Sequence, residues 1–518
     1  MANGSLGSGN ARVLLTAAEA YPCLEELFLE AKDRVVAGFR IFDPRTRLRS
    51  NGGWEVGKTW SDLIRAVIER GVDVTLILAD FDPVHRPGLH RTAHSSVREF
   101  HRAVEGVEGG GKLTVHAAMH PAQVGYWHRI AFRGFEIRTL QRHVDMLNDK
   151  EADAREWWLR DAPGIRKMIK AGPDGKLALR RGLLPRMYPA SHHQKLAVID
   201  GKTLFVGGLD VNERRFDGPD HDRPAEQTWH DVQLCLRDSD LAPVAEEHLL
   251  AFEDECAGKR PVEERQGLLR TLSTVNHKWG SRLGPQEAVR DIRDRIIEEI
   301  RRSEKLIYLE TQYFRDEGIA RELAQRAREV PGLQLIAVLP AAPDDVAFEG
   351  STSLDARFGE HLQAECVETV LAAFDGRCAI LSPGQPENIE DHESDFAFYG
   401  SPLVYVHAKV AIFDDHCAII GSANLNGRSL KWDTEVAVAL EEREAVRDLR
   451  RRLFEHWLPE DAGEEFTDPD GAAKAWWDLA EANTKLEPDE RRGFVLPFPL
   501  QRAKEFGRPV PFVPHAMV

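Results

Sequence analysis

Apolar residues follow two periods along the chain. Residues 34–43 form an almost continuous apolar run after an amphipathic stretch, and this predicts a buried strand. Over residues 61–70 the apolar positions Leu63, Ile64, Val67 and Ile68 fall three and four apart, as on one face of a helix, and Gly71 ends the run. Residues 74–78 are again apolar, broken only by Thr75. Strand, helix, strand predicts a βαβ unit in an α/β protein with a largely parallel sheet. The order returns later in the chain. Ile292, Ile296, Ile297 and Ile300 predict a helix over 289–302, then follow a strand over 306–309, a helix over 319–329 and a strand over 333–339. The recurrence points to an internal duplication.

A sharper match supports the duplication. Residues 193–214 align with 407–428 without a gap, at an offset of 214. The identical pairs are His193/His407, Lys195/Lys409, Ala197/Ala411, Asp200/Asp414, Gly207/Gly421, Asn212/Asn426 and Arg214/Arg428, with near-matches Gly208/Ser422 and Asp210/Asn424. All but one of the identities are polar residues or glycine, while most apolar positions swap among themselves. A purely structural repeat keeps the apolar pattern and lets polar residues drift, so this pattern points to chemistry. Charged, glycine-bearing stretches near 258–267 and 280–284 mark candidate boundaries. The expected organisation is an N-terminal lobe over 1–265, a C-terminal lobe over 266–460 and an extension over 461–518. Residues 459–491 are acidic with little strand signal, and the proline-punctuated end predicts an extended tail.

Each copy reads H-x-K-x4-D and ends in a short apolar strand, 196–199 or 410–413. His193 and Lys195 are two apart, so in extended backbone both side chains leave one face, and His407 and Lys409 repeat this. Two copies brought together place two imidazoles and two ammoniums around one point. Such a cluster suits a phosphodiester: lysines hold the anionic oxygens, one histidine attacks phosphorus, and the other protonates the leaving alkoxide. Gly207-Gly208 and Gly421-Ser422 follow a second strand in each copy, where small residues let backbone or ligand approach closely. Asp210 and Asn424, three residues after the first glycine, are candidates for hydrogen bonds to substrate. Asp200 and Asp414 end their strands, where a turn-forming role competes with a catalytic one.

Composition narrows the field. The 68 Lys and Arg against 85 Asp and Glu give a net charge of −17 and pI ≈ 5.7, which disfavours a dominant polyanion-binding role. No apolar run is long enough to predict a membrane-spanning helix, and Met1-Ala2-Asn3-Gly4-Ser5 lacks the pattern of a secretory signal. The expected location is cytoplasmic or peripheral at a membrane, with signal-less export open. Six scattered cysteines form no CxxC pair and predict reduced, buried thiols. His192 beside His193 is no metal pair, because adjacent residues on a strand face opposite ways.

These motifs resemble the phospholipase D superfamily, whose hallmark is a duplicated HKD motif, and most of all its glycerophospholipid-cleaving members. Ser191-His192-His193-Gln194-Lys195, Phe205-Val206-Gly207-Gly208-Leu209-Asp210 and Arg215-Phe216-Asp217 resemble the first motif. Tyr405-Val406-His407-Ala408-Lys409 and Ile419-Ile420-Gly421-Ser422-Ala423-Asn424 resemble the second. Leu309-Glu310-Thr311-Gln312-Tyr313-Phe314 is similar to the family's intervening aromatic motif. The resemblance implies two α/β/α sandwich lobes related by pseudo-two-fold symmetry with the active site between them. It also implies a phosphohistidine intermediate and no cofactor or metal. By the same resemblance His193 is the nucleophile and His407 the general acid/base. Asp231, in Trp229-His230-Asp231, and Glu435, in Asp433-Thr434-Glu435, are the carboxylates expected to orient the imidazoles, with the pairing left open.

The function expected is hydrolysis of the distal phosphodiester of a glycerophospholipid to phosphatidic acid and headgroup alcohol, with transphosphatidylation to small alcohols. A phosphatidyltransferase of the cardiolipin-synthase type and a nuclease of the same superfamily compete. The absence of a large basic cluster argues against nucleic acid as partner. The expected partners are the phospholipid, a membrane surface touched peripherally, and water or a small alcohol as acceptor, with the protein a monomer. Residues 148–186 are extra material in the first lobe. They are a candidate lid or headgroup wall, and Trp157-Trp158 is either packing or a bilayer contact.

Overall fold

The computed structural model describes residues 10–173, 175–276, 283–389, 391, 394–511 and 513–517. The opening Met1–Ser5 and the first part of the 280–284 stretch lie outside them. One sheet contains β1 (Ala11–Leu15), β2 (Arg34–Phe39), β3 (Asp73–Ala79), β4 (Leu113–Ala118), β5 (Leu196–Ile199), β6 (Thr203–Gly207) and β7 (Val232–Leu236), in the order β1-β7-β6-β5-β2-β3-β4. The other contains β8 (Leu269–Thr274), β9 (Gln286–Arg290), β10 (Leu306–Thr311), β11 (Gln334–Val338), β12 (Cys378–Pro383), β13 (Lys409–Phe413), β14 (Cys417–Gly421), β15 (Glu435–Leu440) and β16 (Val495–Pro497). Its order is β9-β8-β15-β14-β13-β10-β11-β12-β16. Without the edge strands β9 and β16 the two orders coincide strand for strand, so the sequence repeat is a repeat of topology.

The expectation of a largely parallel sheet is corrected. Only β2-β3-β4 and β10-β11-β12 run parallel. β5, β6 and β7, and likewise β13, β14 and β15, join antiparallel. The turn after β5 explains this. Asp200 and Gly201 have φ of 53° and 63°, a left-handed pair that reverses the chain at once, whereas a parallel partner needs a long crossover. The extended tail is corrected as well. After β16 pairs with β12, residues Leu500–Phe506 form a helix, because Gln-Arg-Ala-Lys-Glu between two prolines are strong helix formers.

Both sheets carry helices. Thr16–Glu30 and Trp60–Glu69 pack on one face of the first, and Asp291–Arg302, Glu317–Glu329 and Leu354–Phe374 on one face of the second. The remaining faces join a single apolar cluster running from Val36, Leu196 and Leu204 to Tyr308, Val410 and Ile420. It also takes in helices Leu241–Cys256 and Arg443–Trp457. Strands buried on both faces, such as β6, β13 and β14, read as unbroken apolar runs for this reason. No described helix is long and apolar enough to cross a membrane.

Candidate active site

β5 runs antiparallel to β2 with Leu196 opposite Gly38, so His193 and Lys195 stand just off the C-terminal end of β2. β13 repeats this against β10, with Lys409 opposite Thr311. The two ends meet. His192 bridges to Thr434 and His230 to Val406, each a short parallel contact between lobes. Backbone bonds reinforce the seam: His193 N–H donates to Thr434 O at 2.9 Å and His407 N–H to His230 O at 2.8 Å.

The carboxylates are exchanged across this seam. Nδ1 of His193 lies 2.9 Å from Oε1 of Glu435, and Nδ1 of His407 lies 2.6 Å from Oδ2 of Asp231. Each lobe thus supplies the carboxylate for the other lobe's histidine. A carboxylate on Nδ1 fixes the proton there and leaves Nε2 for chemistry. Lys195 Nζ lies within 3.4 Å of both ring nitrogens of His193 and donates to its backbone carbonyl. Lys409 Nζ donates to the carbonyl of His407 in the same way and reaches Oε1 of Gln312 at 3.4 Å.

These groups are buried except for part of the His193 ring, and burial dominates their ionisation. It drives both imidazoles well below their usual value, with the neighbouring lysines adding to the effect. It brings Lys195 down to about 8 and Lys409 down to about 7. It pushes Asp231 up to about 6 and Glu435 up to about 8. Arg40, Arg215 and Arg428 add further positive charge to the fields at the two histidines. Cations held together against their own repulsion define a site for an anion.

Other expected site residues take different places. Asp200 accepts from the backbone N–H of Lys32, Asp33 and Arg34, each at 2.9 Å, and Asp414 from Glu304, Lys305 and Leu306 at 2.8–2.9 Å. Both sit at the far ends of β5 and β13 from the histidines, so their catalytic assignment is corrected: they tie strand ends. Asp210 spends its oxygens on Ile41 N–H and the Arg215 guanidinium, and its charge interacts with Lys195. The glycines make room for protein. A Cβ at Gly207 would stand 2.4 Å from Val232 O, at Gly208 2.2 Å from Oδ1 of Asp231, and at Gly421 2.4 Å from Val436 O. Ser422, opposite number of Gly208, donates to Oε2 of Glu435. Asn424 donates to Oε1 of Gln312 at 3.3 Å, and its Oδ1 is buried without a protein partner.

Arg40 and Gln312 join the site without a motif that marks them as site residues in sequence. Arg40 was legible as the charge that interrupts the apolar run 34–43; Gln312 stood in the aromatic motif without an assigned role. His192 turns away from His193, as expected, to Thr434 Oγ1 at 2.8 Å. Trp158 packs with Leu140 and Val144, whereas Trp157 is exposed beside Arg91. All six cysteines are buried and unpaired.

Parts of the chain are similar in sequence to known proteins. A family model described as "Cardiolipin synthase, PLD-like domain" matches residues 296–457. Phospholipase D1 of Schizosaccharomyces pombe is 25% identical over 347 residues, covering 48% of this chain and 25% of its own. Phospholipase D alpha 1 of Carica papaya is 24% identical over 368 residues, covering 48% and 45%. The chain therefore spans less than half the length of these relatives. A crystal structure of phosphatidylserine synthase from Haemophilus influenzae Rd KW20 covers 87% of this chain and 88% of its own at 12% identity, with a TM-score of 0.48. Two HKD copies on one repeated topology, facing each other across exchanged carboxylates, thus stand beside sequence similarity to a PLD-like domain and to phospholipases D.

Proposed function

We propose that the protein is a phospholipase D that hydrolyses the distal phosphodiester of a glycerophospholipid through a phosphohistidine. The observation that carries the reading is the pair of exchanged His–carboxylate contacts around two buried lysines. The phosphodiester's negative oxygens sit between Lys195 and Lys409, and its charge restores both ammoniums and the His407 imidazolium. The lone pair on Nε2 of His193 forms a bond to phosphorus, and the bond to the headgroup oxygen breaks. Nε2 of His407 gives its proton to that oxygen as it leaves. Water then attacks phosphorus, His407 takes its proton, and the P–N bond returns its electrons to His193. His193 is the more accessible of the two rings, with 12% of its side chain exposed against 4% for His407, which suits it to the attacking role.

A primary alcohol replaces water in the second step. The test is turnover of micellar phosphatidylcholine with added butanol, followed by lipid analysis. Phosphatidylbutanol at the expense of phosphatidic acid is expected, with both products lost by several orders of magnitude in His193→Ala and His407→Ala. Phosphatidic acid alone at undiminished rate removes the covalent route. The family model matched at 296–457 favours a second reading, transfer to a lipid alcohol. Cardiolipin formed from phosphatidylglycerol, with headgroup release to water negligible, would select it.

A further inference from the structure

Helix Tyr126–Asn148 starts eight residues after β4, whose C-terminal end lies on the sheet edge that carries His193. His120, between the two, packs against His192 at a ring distance of 5.0 Å with the rings tilted by 43°. The helix is built inside out over its first half. Arg129 donates to the carbonyls of Leu184 and Pro185, Arg133 to that of Leu183, and Glu136 pairs with His85 at 2.7 Å. Polar residues thus hold the helix to the chain that leads into His193. The opposite side, Trp127, Ile130, Ala131 and Gly134 at helical spacing, faces away and is exposed, with Phe132 and Phe135 at its borders, the latter exposed on one face and stacked on His85 at a ring distance of 5.8 Å with the other. Trp127 is 66% exposed and Phe135 51%. A water-soluble helix normally buries this stripe.

Charge shows what covers it. Residues 126–188 hold 14 Lys and Arg against 8 Asp and Glu, a net of +6 within a chain of −17. Net cationic charge in the segment that carries an apolar aromatic stripe complements an anionic bilayer, where rings enter the interface and cations meet headgroups. We infer that the first half of helix Tyr126–Asn148 docks the protein on an anionic lipid surface with the His193 edge turned toward the membrane. The choice of lipid over protein rests on the phospholipase reading; the inverted helix does not.

Flotation with vesicles tests it without turnover. The full chain is expected to float with phosphatidylcholine vesicles containing phosphatidylglycerol, and to float less with pure phosphatidylcholine or at high salt. Trp127→Asp/Ile130→Asp is expected to lose at least tenfold in vesicle affinity, while its turnover of monomeric short-chain phosphatidylcholine and its Tm stay unchanged. Absence of flotation, or undiminished flotation of the variant, overturns the inference. So does a self-association, or a retention of duplex DNA, that the substitutions abolish while vesicle binding stays. Vesicle binding without turnover of any phospholipid leaves the docking in place and removes the phospholipase reading.

Discussion

Lys195 and Lys409 are ammoniums held below their ordinary range, at about 8 and about 7, by burial among other cations. A lysine depressed on folding binds fewer protons in the native state than in the unfolded one. Its contribution to stability is therefore present above its unfolded value, near 10.4, and is lost as pH falls through 8 and 7. A dianion between the lysines reverses this by drawing protons onto both. Sulfate, fully ionised throughout, should raise Tm more at pH 6.5 than at pH 9. Its affinity should fall at least about tenfold per unit above pH 8, with proton uptake on binding at pH 8. Calorimetry in buffers of different ionisation enthalpy reads that uptake. A pH-independent affinity with no uptake would mean that the lysines are not the anion's partners.

At the level of elements, β5 and β13 are each held at one end by chemistry and at the other by a cap. Asp414 takes the left-handed conformation, φ 49°, and accepts three backbone N–H groups that open β10. Hydrogen bonds to a charged acceptor are worth about 1.5–3 kcal/mol, and the three share one carboxylate. Asp414→Ala should therefore destabilise the fold by about 2–4 kcal/mol and lower Tm, while the kcat of the folded fraction stays within about twofold. A kcat loss comparable to that of His407→Ala, with Tm unchanged, would restore Asp414 to the catalytic set. Asp414→Asn, which keeps both the acceptor and the left-handed tendency, should recover part of the stability.

On the scale of the molecule, one apolar cluster unites the inner faces of both sheets, and buried polar bonds cross the same seam. His230 Nε2 meets Glu310 at 2.8 Å, and His221 Nε2 meets His456 Nε2 at 3.0 Å. Glu310 also accepts from Tyr308 and Trp457. Neither lobe can leave without stripping these partners, which raises the penalty for separate unfolding. Urea unfolding should show one transition, coincident by tryptophan fluorescence, far-UV circular dichroism and activity. Activity lost at lower urea than the circular dichroism signal would show that the lobes part before they unfold.

The sequence by itself determined the repeat, the histidines and lysines, and the strand–helix order, because each rests on local spacing: a step of two from His to Lys, helical steps of apolar residues, a fixed offset between copies. It also left Asp200 and Asp414 in the same set as the histidines, since identity between copies does not separate a base from a strand cap. The tertiary structure decided what depends on which segments meet. The pairing of Glu435 with His193 and of Asp231 with His407 crosses a seam that no spacing within one copy encodes. Arg40 joins the site only because β2 ends beside β5. The outward stripe of helix Tyr126–Asn148 was decided by the fold alone, because hydrophobic periodicity fixes a helix face but not the direction in which that face points.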